Sequence, residues 1–199
     1  NPLSFTEFLH ATDNSRLADL IESCDWTLIT AFKNKLIDQL RLYYYIGGMP
    51  EVVDAFAKYN DLMKVRKIQT ELLRSYDRDF SKHAPVEIVP RIRMVWNSIP
   101  SQLAKENRKY VYGALRTGAR AKDFELAMQW LLDAGLIYNV CRAAKPAIPL
   151  TAYQSDGFKA YMLDVGLLGA MANLNAKTLL EGNAVFQEFN GALTEQYVQ

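Results

Sequence analysis

Histidine and cysteine each occur only twice in this chain of 199 residues. His10 and His83 stand alone, and Cys24 and Cys141 form no CxxC pair. A closed zinc site needs four such ligands at set spacings, so the sequence predicts no metal ligands of that kind. Two isolated cysteines fit a reducing compartment with free, buried thiols, which makes the cytoplasm the expected location. Long apolar runs are also missing. The richest, Val165 to Ala172, is far short of the ~20 residues of a membrane-spanning helix and contains Gly166 and Gly169. The start, Asn1-Pro2-Leu3-Ser4-Phe5, has neither an initiator Met nor the basic-then-apolar pattern of a signal peptide. Leu193 to Gln199 stops inside an apolar-periodic stretch without a cap. Both ends read as cut, so the expectation is an internal piece of a longer protein.

A net excess of either charge is missing as well. The formal net charge is +1, so no global field draws the chain to nucleic acid or an anionic membrane. The distribution is uneven. Residues 1–60 hold eight acidic against five basic side chains, and residues 105–122 hold six basic ones against Glu106 alone. Residues 181–199 carry three glutamates and no basic residue.

Catalytic motifs are absent. No GxSxG element presents a nucleophile. Gly113 to Arg120 has the glycine spacing of a P-loop, but Ala119 and Arg120 occupy the places where Lys and Ser or Thr would hold phosphate and magnesium. These are read as turn glycines. Asp77 and Asp79 lie two apart on a helix and point about 200° around its axis, so they cannot share one ligand. A capped or salt-bridged helix end is the expected role. No catalytic residue is assigned, and the chain is expected not to be an enzyme by itself.

What is present is helical periodicity. Ser4 caps a short helix with Glu7 in capping-box position, and a second helix runs from Ser15 to Cys24. Asp25 caps a long third helix with apolar residues at 28, 29, 32, 36, 37, 40, 43 and 44. It ends at Gly47-Gly48, and Pro50 opens the next helix at its first turn. Asp61 starts another long one, carrying Leu62, Val65, Ile68, Leu72, Tyr76 and Phe80 on one side. Pro85 and Pro90 then bracket a break. A helix holding Ile92, Val95, Trp96 and Ile99 follows, then a short one over 109–116, then one from Ala121 to Ala134. Beyond Gly135 the period shifts from 3.6 to 2. Leu136–Cys141 reads as a strand, Leu150–Tyr153 as its return, and Gly157–Met162 as a third strand. Three helices followed by a hairpin is the order of a winged helix-turn-helix.

The predicted fold class is therefore mainly α: a helical bundle over 1–84, a winged-helix domain with a small β-hairpin over 85–165, and a helical segment over 166–199. The winged-helix order brings DNA into consideration. Lys122, Asp123, Glu125, Gln129 and Asp133 would face outward from the would-be recognition helix, and three carboxylates oppose entry into a major groove. Candidate DNA-backbone contacts are Arg108, Lys109, Arg116, Arg120 and Lys122. A protein-contact role for this module is the favoured alternative.

The segments PLSFTEFL, YYYIGGMPEVVDAF, SYDRDFSKH, IPSQLAKEN, WLLDAGLI, PLTAY and FKAYMLDVGLL, in this order, resemble the AAA-like P-loop ATPases of bacteria and archaea that carry a C-terminal domain of unknown function. The resemblance spans essentially the whole chain. It implies that the region 1–84 is lid-like and follows an ATPase core bearing both Walker motifs, neither of which occurs in this sequence. It implies that Gly48 and Pro50 of Gly48-Met49-Pro50 lie near a nucleotide held by that core. It also implies a restriction-endonuclease-like domain opening at GALTEQYV, in which Glu195 would become a metal ligand once the rest of that domain is attached. The cofactors implied are ATP and magnesium for the parent protein, and none for this chain. The partners implied are the chain's own ATPase core and C-terminal domain. A separate protein partner, nucleic acid and a second copy of the chain remain open, and no membrane is expected. The function expected is relay of nucleotide state to the C-terminal region.

Overall fold

A computed structural model describes residues 1–105, 109–176 and 184–198; for Asp156 and residues 184–190 it describes the backbone alone. The fold is mainly α with a small β-hairpin, as the periodicities predict. Among the described residues, no helix is long and apolar enough to cross a membrane. The chain divides into two compact units, one of Asn1–Arg74 with Asp164–Tyr197 and one centred on Ser75–Leu163. The boundaries differ from 1–84, 85–165 and 166–199, because the stretch after Leu163 packs with the first 74 residues.

In the first unit, α1 (Phe5–Ala11) starts where Ser4 and Glu7 form the expected capping box: the Ser4 amide donates to Glu7 Oε2 at 2.7 Å, and the Glu7 amide donates to Ser4 Oγ at 3.3 Å. Helix α2 (Ser15–Glu22) follows a tight corner. The single long helix expected from Asp25 is two, α3 (Trp26–Ala31) and α4 (Lys33–Ile46), with Phe32 between them outside helical geometry. The break has a local cause. Thr30 donates its hydroxyl to Trp26 O at 2.7 Å, a back-bond that bends helices, and α3 buries none of its residues against the core. Helix α5 (Pro50–Tyr59) begins with Pro50 and ends at Asn60 in the left-handed region. Helix α6 (Leu62–His83) is capped by Asp61, whose Oδ1 accepts from Met63 and Lys64. Phe8, Leu9, Ile46, Val52, Val53 and Val65 are almost fully buried in this unit.

The second unit holds α7 (Val89–Ala104), α8 (Ala121–Asp133) and an antiparallel pair, β1 (Ile137–Ala143) and β2 (Gln154–Met162). Two expectations need correction. The short helix over 109–116 is a single 3-10 turn at Tyr112–Ala114, because the backbone just before it is committed to extended pairing. The Tyr110 amide donates to Phe158 O at 2.6 Å, and the Gln102 side chain both donates to and accepts from the Val111 backbone. The return strand is not Leu150–Tyr153, which is another 3-10 turn. It begins at Gln154 and absorbs the stretch expected as a third strand, pairing Ile137 with Met162 and Cys141 with Phe158. The preceding turn holds Pro149, which has no amide to give a ladder. Phe80 packs edge-on against both Trp96 and Trp130 at the centre of the unit. Asp77 belongs to a bidentate pair with Arg93 at 2.7 and 3.0 Å, a salt bridge as expected, although it sits inside α6 rather than at its end.

After the hairpin, α9 (Val165–Met171) and α10 (Ala184–Val198) return to the first unit. Their buried residues include Leu167, Leu168 and Leu193.

Candidate functional site

The site of most structural interest lies at the end of α4. Gly47 has φ +76° and ψ −171°, a conformation that is essentially glycine's alone, and its amide closes the helix on Tyr43 O at 2.7 Å. The orphan carbonyls of that last turn are capped by a fully buried amide side chain. Gln69 Nε2 donates to Tyr45 O and Ile46 O, both at 2.9 Å.

Gly48 then joins two segments remote in sequence. Its carbonyl accepts from the Leu3 amide at 2.6 Å, and its own amide donates to Asp164 Oδ2 at 2.6 Å. Leu3 O in turn accepts from the Tyr43 hydroxyl at 2.6 Å. Asp164 is the N-cap of α9 and accepts from Leu167 N at 2.9 Å through its other oxygen. One buried junction thus ties residue 3, residues 47–48 and residues 164–167.

Glycines make this approach possible. A β-carbon on Gly48 would collide with Leu3 O and lie 2.7 Å from Leu3 N. One on Gly47 would strike the Asp164 carboxylate, and one on Gly166 would strike Ile46 O. Apolar walls complete the enclosure, with Phe5 and Phe8 meeting the Tyr43 ring edge-on.

Burial governs the electrostatics. Asp164 is 3% exposed. Loss of hydration pushes its pKa up to about 6, and the amides of Gly48, Leu167 and Gly166 hold it back from rising further. The Tyr43 hydroxyl is pushed well above the ordinary phenol range, first by burial and then by the Asp164 charge. Both Asp164 oxygens are spent on backbone amides, so the carboxylate acts as a tie between segments.

Of the two nucleotide-proximal candidates, Gly48 is buried and has both polar backbone atoms engaged, while Pro50 is exposed at the head of α5. Asp164 was missed by sequence reasoning as anything beyond a helix start. The signal was present in Asp164-Val165-Gly166, a capping residue followed by a glycine inside an apolar helix.

The candidate DNA contacts lie in the second unit. Lys109, Arg116, Arg120 and Lys122 are all exposed, and Arg108 lies outside the described residues. Asp123 links two of them: it accepts from the Arg120 amide at 3.1 Å and lies 4.0 Å from the Arg116 guanidinium, which also sits 5.7 Å from the centre of the Phe124 ring. Asp123 is therefore drawn into the helix start, while Lys122, Glu125, Gln129 and Asp133 are exposed as expected. Gly113 and Gly118 sit in open surroundings, and Gly118 has φ +76°. They are turn glycines. Both cysteines are exposed, contrary to the expected burial. Cys24 ends α2 in the left-handed region and Cys141 lies on the exposed part of β1. Glu195 is half-buried on α10.

These features define a mainly helical protein with a buried hydrogen-bonded tie in one unit and a basic, solvent-facing turn in the other. The chain belongs to the family described as Domain of unknown function (DUF8612), whose model matches residues 37–178. No curated protein and no solved structure matches the chain. The matched range includes Gly47, Gly48 and Asp164 and leaves Leu3 outside.

Proposed function

We propose that this chain is a non-catalytic coupling module of an AAA-like P-loop ATPase, relaying nucleotide state from the ATPase core to the C-terminal region. The observation that carries the reading is the three-way tie of Leu3, Gly48 and Asp164. In the family that the sequence resembles, the PLSF segment lies near the end of the nucleotide-binding domain, and the Gly-Met-Pro element lies near the nucleotide. Here the same two elements share one hydrogen bond, and the second of them is fastened to the head of α9. Displacement of the segment carrying Leu3 acts on Gly48, and through its amide on Asp164 and α9. Packed junctions of this kind respond as discrete shifts rather than by stretching.

Nucleotide and magnesium belong to the attached core in this reading. Gly48 has neither its amide nor its carbonyl to spare for them, and no Walker motif occurs in this sequence. The test uses the parent protein. Protease protection of residues 61–84 is expected to differ with and without a non-hydrolysable ATP analogue. Identical protection in both states contradicts the relay.

A second reading, a winged-helix module touching the DNA backbone, is favoured by the exposure of Lys109, Arg116, Arg120 and Lys122. Duplex DNA titrated into the chain at about 50 and 200 mM salt separates the two. A steep salt slope that is lost on Arg116→Ala with Arg120→Ala supports DNA binding, and no binding at the lower salt removes it.

A further inference from the structure

His10 has no metal-ligand spacing to any residue in the sequence, yet the fold gives it two partners. His10 in the last turn of α1 and Asp19 and Glu22 of α2 bring one imidazole nitrogen and two carboxylate oxygens within 4.8 Å of one another. Asp19 and Glu22 are three apart on a helix and so share a face. The frame beneath them is well tied. The Asn14 amide donates to Leu9 O at 2.8 Å, its side chain donates to Thr12 O at 2.7 Å, and Phe8, Leu9, Leu17 and Ala18 are buried between the two helices. The backbone of the corner is thus held in place while all three side chains reach solvent.

The second observation is electrostatic. Two carboxylates are held close together, and among the described residues no ammonium or guanidinium pairs with either of them. Neighbouring carboxylates repel unless a proton or a cation intervenes. With an imidazole completing the set, the donors are one nitrogen and two carboxylate oxygens. That combination suits a first-row divalent transition metal better than calcium or magnesium, which take oxygen ligands. Three protein ligands also leave coordination positions for water.

We propose that His10, Asp19 and Glu22 form a surface site for a divalent transition-metal ion, with zinc as its probe, that clamps α1 to α2. The site stands independently of the coupling function, because none of its residues takes part in the tie at Gly48.

The test is zinc titration of the full chain carrying Cys24→Ser and Cys141→Ser, which removes the exposed thiols as competing ligands. Binding is read by competition with a chromophoric chelator and by the melting temperature. One zinc ion per chain is expected, with a rise in melting temperature that an equal concentration of magnesium does not reproduce. Loss of a metal ligand's hydrogen-bonded neighbour typically weakens binding about 10- to 100-fold. Loss of a direct ligand should do at least as much, so His10→Ala is expected to lower zinc affinity about tenfold or more, and Glu22→Gln to lower it as well. All three positions are exposed, so the metal-free melting temperatures should stay close to that of the parent chain and report that each variant folds. Zinc affinity unchanged by both substitutions overturns the proposal, as does the absence of any zinc-dependent shift in the chain with the site intact.

Discussion

Glycines do opposite work in the two units. Around Gly47, Gly48 and Gly166 a β-carbon would meet Asp164, Leu3 or Ile46 at distances no real side chain tolerates. Around Gly113, Gly118 and Gly135 it would meet nothing within 4 Å. The first set exists so that backbone can touch backbone and a buried carboxylate. In the second, Gly118 and Gly135 serve turns through their positive φ, and the surroundings are solvent. A glycine motif is therefore informative only with its neighbours. The GGMP run marks a tie, whereas the P-loop-like spacing of Gly113 and Gly118 marks a bend.

Substitution sharpens this contrast most strongly. Gly48→Ala requires Leu3 to move and is expected to destabilise the chain by about 3 kcal/mol or more, in the range of overpacked cores and broken networks. Gly113→Ala, with open space and no positive φ, should lie within about 0.5 kcal/mol of the parent or be slightly stabilising. Urea unfolding of the two variants side by side gives the comparison. Similar losses at both positions would remove the distinction between tie and turn.

Asp164 supplies the next effect. Asp164→Ala leaves the amides of Gly48 and Leu167 without their acceptor, at about 1–3 kcal/mol for each buried group. Its titration also has a sign opposite to that of a salt-bridged aspartate. The folded pKa, about 6, lies above the ordinary value of 3.8. Below the ordinary value both states hold the proton, and between the two values the folded state holds more. This group's contribution therefore falls as pH rises from about 4 to about 6, by about 3 kcal/mol in total. Stability measured across that window should decline more steeply in the parent chain than in Asp164→Asn. Equal slopes would place the carboxyl in contact with water.

The smallest effect belongs to the second unit's surface. Arg93→Ala removes a bidentate but solvent-washed pair with Asp77, and only a small loss of stability is expected, shrinking further in high salt. A loss as large as that of Asp164→Ala would show that exposed and buried ties are equivalent here.

Much of the helical frame was legible in residue order. The Ser4 and Glu7 box, Asp25 and Asp61 as caps, Pro50 at the head of α5 and the span of α8 are local signals, and each appears in the fold where the pattern places it. The errors share a physical origin in partners distant along the chain. Residues 110–111 look helical until Phe158 and Gln102 claim their backbone. The tie was only half legible. Gly47-Gly48 announces a helix end, but nothing in the local pattern says that Leu3 and Asp164 will meet there. His10, Asp19 and Glu22 were unreadable as a group for the same reason, since a left-handed turn at Asp13 brings their helices together.

The central claim is that Leu3, Gly48 and Asp164 move as one. Leu3→Pro removes the amide that donates to Gly48 O while keeping the carbonyl that accepts from Tyr43, and amide hydrogen exchange then reads the far side of the junction at Leu167, whose N–H is held by Asp164. The account predicts that exchange at Gly48 and Leu167 both accelerate about tenfold or more, while amides in the middle of α8 keep their rates. Leu167 exchanging at its original rate in Leu3→Pro would contradict the coupling.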